Sequence, residues 1–312
     1  MVLKRHHEGR IRSNSEVPMK KYYILHPAVF KLDGGAMFGI IPKPLWSKAI
    51  PADELNRIQL SLRVMLIKTS HRNILIDTGI GDYHGDKFES RFGVVGEKNP
   101  LIKLLKEQHD LAPEDITDLI VTHLHFDHVG GLGQDATKPL ALFPHATLHI
   151  HREHYEYALN PTPRDTGSFH TQYFKPLVEE ANKAGKVHWV SGKEGILLED
   201  GEDKLFFKCS FGHTPHLLHP YDEKFIYMAD LVPTSHHIPL PWVMGYDINP
   251  GQTTADKIEF FKFILEKNLT LIFEHDMEFW GGKISSKGAE YEKAELFNVK
   301  SSDHQKFELS FD

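Results

Sequence analysis

Residues 121–131, VTHLHFDHVGG, place His123, His125, Asp127 and His128 within six positions. In an extended segment, residues two apart point to the same side, so His123 and His125 converge while Leu124 and Phe126 face away. Asp127 and His128 are neighbours and cannot share one direction on a strand. They belong to the turn that follows, and Gly130-Gly131 are expected to supply its conformational freedom. Two ligand pairs aimed differently from one short loop suit two metal ions better than one. The flanking DLIVT and VGGLG are apolar, which puts the cluster at the edge of a core. Imidazoles and a carboxylate gathered there without a cation would be poorly satisfied. This donor set favours zinc first, with iron and manganese as further options.

Four residues cannot fill two coordination spheres and still leave room for a water. Working outward, the chain offers three more donors, each at the end of an apolar run: His213 in KCSFGHTPH, Asp230 in FIYMADL and His275 in LIFEHD. Around them, YYILHPAVFKL, IQLSLRVMLIKT, RNILIDTG, DITDLIVTH, KVHWVSG, GILLEDG, KLFFKCSF, KFIYMADL and LTLIFEHD read as strands. Helices are expected at NPLIKLLKEQHD with Asn99 as N-cap, at QYFKPLVEEANKAG ending by Gly185, and at TTADKIEFFKFILEKN capped by Thr253 or Thr254. ATLHIHREHYEYAL reads as strand into helix. Residues 34–57 read as a long apolar loop. This mixture indicates α/β layers in one domain.

Bulk numbers agree with that reading. The chain has 312 residues, 40% hydrophobic and 25% charged, enough to bury a core. A net charge of -7 argues against nucleic acid as a partner. No run approaches the ~18 consecutive apolar residues of a membrane helix, and no apolar run near the start reaches the roughly 7–15 residues of a secretory leader. A lone Cys209 excludes an internal disulfide. The expectations are a disordered extension over residues 1–18, a single domain over 19–312, and a cytoplasmic protein. Composition leaves monomer and homodimer open.

The chain resembles the metallo-β-lactamase-fold hydrolases, from roughly Tyr22 to Glu278. The resemblance rests on H-x-H-x-D-H at 123–128, G-H-T-P at 212–215, Asp230 after an apolar strand, the late His275, and ILIDTG at 74–79. It implies a four-layer αβ/βα sandwich of two mixed β-sheets flanked by helices, with the site along one edge. It further implies that His123, His125 and His213 hold one metal and Asp127, His128 and His275 the other. Asp230 would bridge the two together with a water or hydroxide, and Asp77 would support a ligand imidazole. Relatives continue G-H-T-P-G-H, whereas His216 and Leu217 stand here, which puts the backbone after His213 in question. His216 and His219 are expected to pack rather than ligate.

A dinuclear zinc hydrolase acting on small-molecule esters follows from the resemblance, with Asp230 and Asp127 as the catalytic carboxylates. The cysteine ligand of class B1 β-lactamases, the glutamate of flavodiiron proteins, the basic C-terminal domain of glyoxalase II and the basic arm of ribonuclease Z are not found. The lactonase-like branch remains, with phosphotriesterase, thioesterase or iron-dependent oxidoreductase activity as alternatives. Lactonases place a tyrosine three residues after the bridging aspartate, and Pro233 stands there. Met37, Phe38, Trp242 and Tyr246 are the expected walls of an apolar substrate pocket.

Overall fold

The computed structural model describes residues 20–95, 100–133, 142–299 and 307–311. The 1–18 extension, the Met19 boundary and the Asn99 cap lie outside them.

Strand β1 (Lys21–Asp33) leads into two short helices, α1 (Gly34–Phe38) and α2 (Lys43–Ala49). Residues 34–57 are therefore partly helical and not one long loop: Asp33 caps α1 by accepting from Ala36 N, and Pro44 sits in the first turn of α2. Next come β2 (Arg57–Lys68), β3 (Asn73–Ile76), α3 (Asp86–Phe92), α4 (Pro100–His109) and β4 (Asp118–Ile120). The one-turn helix α5 (Phe126–Val129) follows, then β5 (Thr147–His151), α6 (Arg152–Leu159), α7 (Thr171–Lys183) and β6 (Val187–Val190). The second half contributes β7 (Glu194–Asp200), β8 (Asp203–Ser210), β9 (Leu217–Tyr221), β10 (Phe225–Tyr227), α8 (Pro250–Lys267), β11 (Thr270–Ile272), β12 (Phe279–Lys287) and β13 (Glu290–Asn298). A two-residue β14 (Phe307–Glu308) returns to β1.

The described residues thus build two seven-stranded mixed sheets, ordered β14-β1-β2-β3-β4-β5-β6 and β13-β12-β11-β10-β9-β8-β7. In the first, β3 to β6 run parallel, and in the second the parallel pair is β10 and β11, joined through α8. Side-chain alternation divides the interior into layers. Ile24, Met65, Ile67 and Ile76 meet Leu205, Phe207, Phe225 and Tyr227 between the sheets. The alternate residues Tyr23, Leu25, Val64 and Leu66 face Leu105 of α4 and Phe174 of α7. Ile226 and Leu271 pack on Phe260, Phe261 and Ile264 of α8. The result is the four-layer αβ/βα sandwich expected from the sequence.

Helix α8 starts earlier than expected, because Asn249 caps it by accepting from Gln252 N and Pro250 occupies its first position. The hairpin of β12 and β13 has no counterpart among the expected strands. Its burial alternates weakly and many of its side chains are exposed, so no core pattern announces it.

Candidate metal centre

Seven side chains from both halves of the sandwich meet at one edge of the sheets. His123 and His125 lie just past β4, Asp127 and His128 on α5, His213 past β8, Asp230 past β10, and His275 past β11. All seven are buried. The loop after β4 is held close to the loop after β3, where Thr78 N donates to His128 O. Gly130 serves this approach: a Cβ there would sit 1.8 Å from the Ile80 carbonyl oxygen. Its backbone is ordinary right-handed helix, so close contact and not conformational freedom requires the glycine.

The donors fall into two groups, His123, His125, His213 and Asp230, and Asp127, His128 and His275, with ligand atoms within 4.8 Å of one another in each. In the first, His123 Nε2 is 3.0 Å from His125 Nδ1, and His213 Nε2 is 3.2 Å from the same atom. Asp230 stands between the groups. Its Oδ2 is 3.1 Å from His213 Nε2 and 3.5 Å from His128 Nε2, while its Oδ1 is 3.1 Å from His275 Nε2. Asp127 Oδ2 lies 3.7 Å from His275 Nε2 and 3.8 Å from His128 Nε2.

Surrounding groups fix which nitrogen faces inward in four of the five rings. His275 Nδ1 donates to the Ser61 carbonyl at 2.7 Å, His213 Nδ1 to Asp247 at 2.9 Å, and His128 Nδ1 to Asp77 at 3.1 Å. Thr122 Oγ1 donates to Asp77 at 2.6 Å and so accepts from His123 Nδ1 at 3.1 Å. In the neutral rings, all four Nε2 lone pairs therefore point into the cluster. His128 Nε2 and Asp230 Oδ1 are buried without a hydrogen-bond partner among the described residues. Crowded lone pairs and unsatisfied buried acceptors are what a cation would relieve, so the residues fit a metal pair.

The electrostatics agree. Burial opposes protonation of His213 and His275, but the Asp230 carboxylate overrides it and pushes both up to about 9. His128 is likewise raised against its burial, by Glu274, Asp127 and Asp230. His123 and His125 are held well below the usual imidazole range by burial and by neighbouring imidazoles. The carboxylates thus favour positive charge on His128, His213 and His275, while burial keeps His123 and His125 neutral.

Four residues near these donors carry no functional signal in the sequence: Asp247, His154, Glu274 and Ser61. His154 Nε2 accepts from Leu124 N and its Nδ1 donates to the Pro215 carbonyl, both at 2.8 Å, tying the loop after β4 to the loop after β8. Glu274 Oε1 is 3.1 Å from His128 Nδ1. His216 takes a left-handed backbone at φ 57°, the conformation that glycine favours, and its ring stacks on His151. His219 is buried and bonded to the Tyr227 carbonyl and to Ser210.

The expected pocket needs a correction. Met37 and Phe38 are 1% and 0% exposed, because His237 bonds to the Met37 carbonyl and stacks on Phe38. They form the inner packing of the wall. Trp242 and Tyr246 remain partly exposed beside them, and Pro233 carries the carbonyl that accepts from His275 N.

The family model described as the metallo-beta-lactamase superfamily matches residues 62–275. An N-acyl homoserine lactonase of Bacillus cereus is 30% identical over 96 residues, 28% of this chain and 38% of that protein. A second, from Bacillus thuringiensis subsp. kurstaki, is 29% identical over 112 residues, 33% of this chain and 41% of its own length. The chain therefore spans about two fifths of the curated relatives it matches. A probable metal-dependent hydrolase from Staphylococcus aureus superposes with a TM-score of 0.77 at 27% identity, covering 90% of this chain and 98% of that one. A dizinc quorum-quenching lactonase shares the fold at a TM-score of 0.68 and 20% identity, covering 91% and 97%. Among the described residues, no helix is long and apolar enough to cross a membrane.

Proposed function

The chain belongs to the metallo-beta-lactamase superfamily, and on that premise we propose a dinuclear zinc-dependent hydrolase of small carboxylic esters, with a lactone as substrate. The observation that carries the proposal is the placement of Asp230. One buried carboxylate turns one oxygen to His213 and the other to His275, each at 3.1 Å. It would hold two cations together, one on His123, His125 and His213, the other on Asp127, His128 and His275. When bound, two such cations supply Lewis acidity and an activated water at neutral pH without a serine or cysteine nucleophile. Cys209 is buried and its thiol is pushed up to about 12 by that burial, so it offers no thiolate.

The residues themselves do the rest. Asp77, Asp247 and the Ser61 carbonyl lock His128, His213 and His275 with Nε2 inward, so little reorganisation accompanies ligation. Asp230 accepts the proton of the attacking water at a carboxylate oxygen and returns it to the leaving alkoxide. Asp127 would hold the second cation together with His128 and His275. Trp242 and Tyr246 border the approach, and burial with the nearby Asp33 and Asp127 carboxylates keeps the Tyr246 phenol protonated. That phenol and the rings around it suit an apolar acyl group next to a polar ester.

A lactone is favoured by the two partial matches to N-acyl homoserine lactonases. The test is metal analysis together with a turnover panel of lactones, aryl esters, phosphotriesters, thioesters and β-lactams. Two zinc ions per chain and fastest ring opening of lactones are expected. Two ions with faster phosphotriester or thioester cleavage would reject the lactone, and redox-active iron with oxygen-dependent turnover would reject hydrolysis.

A further inference from the structure

A third buried cluster lies behind the two ligand groups. Asp77, His128 and Glu274 bring ligand atoms within 4.8 Å of one another. His128 Nδ1 is 3.1 Å from Asp77 Oδ2 and equally 3.1 Å from Glu274 Oε1. One N–H serves one acceptor well, and its directed bond goes to Asp77. Neither Glu274 oxygen has a hydrogen-bond partner among the described residues. Nearby, the Tyr227 phenol donates to the Arg63 carbonyl, and the Arg63 guanidinium donates to the Phe273 main-chain carbonyl. A carboxylate removed from water and short of hydrogen bonds is costly unless positive charge faces it. A cation on the far nitrogen of His128 would add such charge to that of the buried Arg63 guanidinium.

We propose that Glu274 is a positioning residue which, through His128, sets how tightly the Asp127, His128 and His275 group holds its cation; this rests on the dinuclear reading above. The support of the rings favours it. His213 leans on a carboxylate of its own, whereas His275 leans on a neutral carbonyl. Within the second group, anionic support for an imidazole therefore comes through His128 alone. Carboxylates beside the outer nitrogen make the inner one a stronger donor.

The experiment is a chelator-competition titration of the full chain with zinc, resolving the two binding steps in the wild type, Glu274→Gln and Glu274→Asp. Glu274→Gln keeps the shape and removes the charge. It is expected to weaken one step by roughly 10–100-fold and leave the other unchanged, with Glu274→Asp recovering part of the loss. Should Glu274→Gln not fold, Glu274→Asp reads the same step with a smaller loss. Wild-type affinity at both steps, or equal loss at both, overturns the role of Glu274 alone. A wild type that takes up fewer than two ions overturns the dinuclear reading, and this inference falls with it.

Discussion

Replacing Asp77 by asparagine isolates one atom of the network. The carboxylate accepts three bonds: Thr122 N at 2.8 Å on Oδ1, and Thr122 Oγ1 at 2.6 Å and His128 Nδ1 at 3.1 Å on Oδ2. The substituted side chain would keep one acceptor oxygen and turn an NH2 to the other side. If the amide faces His128, two donors meet, and the ring is driven to protonate Nε2, the nitrogen meant for the cation. If it faces Thr122 N instead, the clash moves to the main chain. Asp77 also has a left-handed backbone at φ 60°, which asparagine tolerates, so the variant tests the hydrogen bonds and not the fold. Loss of one or two buried charge-assisted bonds costs about 1.5–3 kcal/mol each in stability. A disrupted ligand support costs roughly 10–100-fold in metal affinity, or about 1.4–2.8 kcal/mol. Urea unfolding of the metal-free protein reads the first, and zinc titration against a chelator reads the second. An Asp77→Asn protein with wild-type stability and wild-type affinity at both steps would refute the reasoning.

His154→Ala should remove both 2.8 Å bonds between the two ligand loops and leave Leu124 N and the Pro215 carbonyl unpaired. A loss of about 2–4 kcal/mol is expected in denaturant unfolding, with zinc uptake weakened at the first group. His216→Gly should relieve a left-handed residue and, less the stacking on His151, stabilise the chain by about 1 kcal/mol without changing metal affinity, as read by thermal unfolding. Lys257 is buried, donates to the Pro239, Leu240 and Trp242 carbonyls, and is pushed down to about 7 by burial, with Asp247 opposing. Between about pH 7 and the ordinary lysine range near 10.4, the unfolded chain binds the extra proton. Stability of the wild type should therefore rise through that window relative to Lys257→Met, a difference measured by unfolding at several pH values.

The clustered donor set is legible in the sequence because it is local or punctuated. H-x-H-x-D-H fits within six residues, and His213, Asp230 and His275 each end an apolar strand. The layered fold follows from strands whose both faces are apolar, such as β2 and β10. What escapes is long-range. Asp247 meets His213 across 34 positions, and His154 meets Leu124 across 30; neither spacing has a periodic signature. Glu274 reads only as the neighbour of His275. Asn249-Pro250 does carry the same cap-then-proline signal as Asn99-Pro100, but the threonines that follow compete with it for the cap. Met37 and Phe38 read as pocket walls because apolar residues in a loop suggest a lining. The short helix α1 instead turns them into the interior.

On this proposal seven side chains enclose two cations with Asp230 between them. Anomalous diffraction at the zinc edge from zinc-loaded crystals tests it directly. The expected result is two peaks roughly 3.5–4 Å apart. One should lie about 2.0–2.3 Å from nitrogens of His123, His125 and His213, the other within the same reach of His128, His275 and Asp127. A single peak, or peaks distant from Asp230, would contradict it.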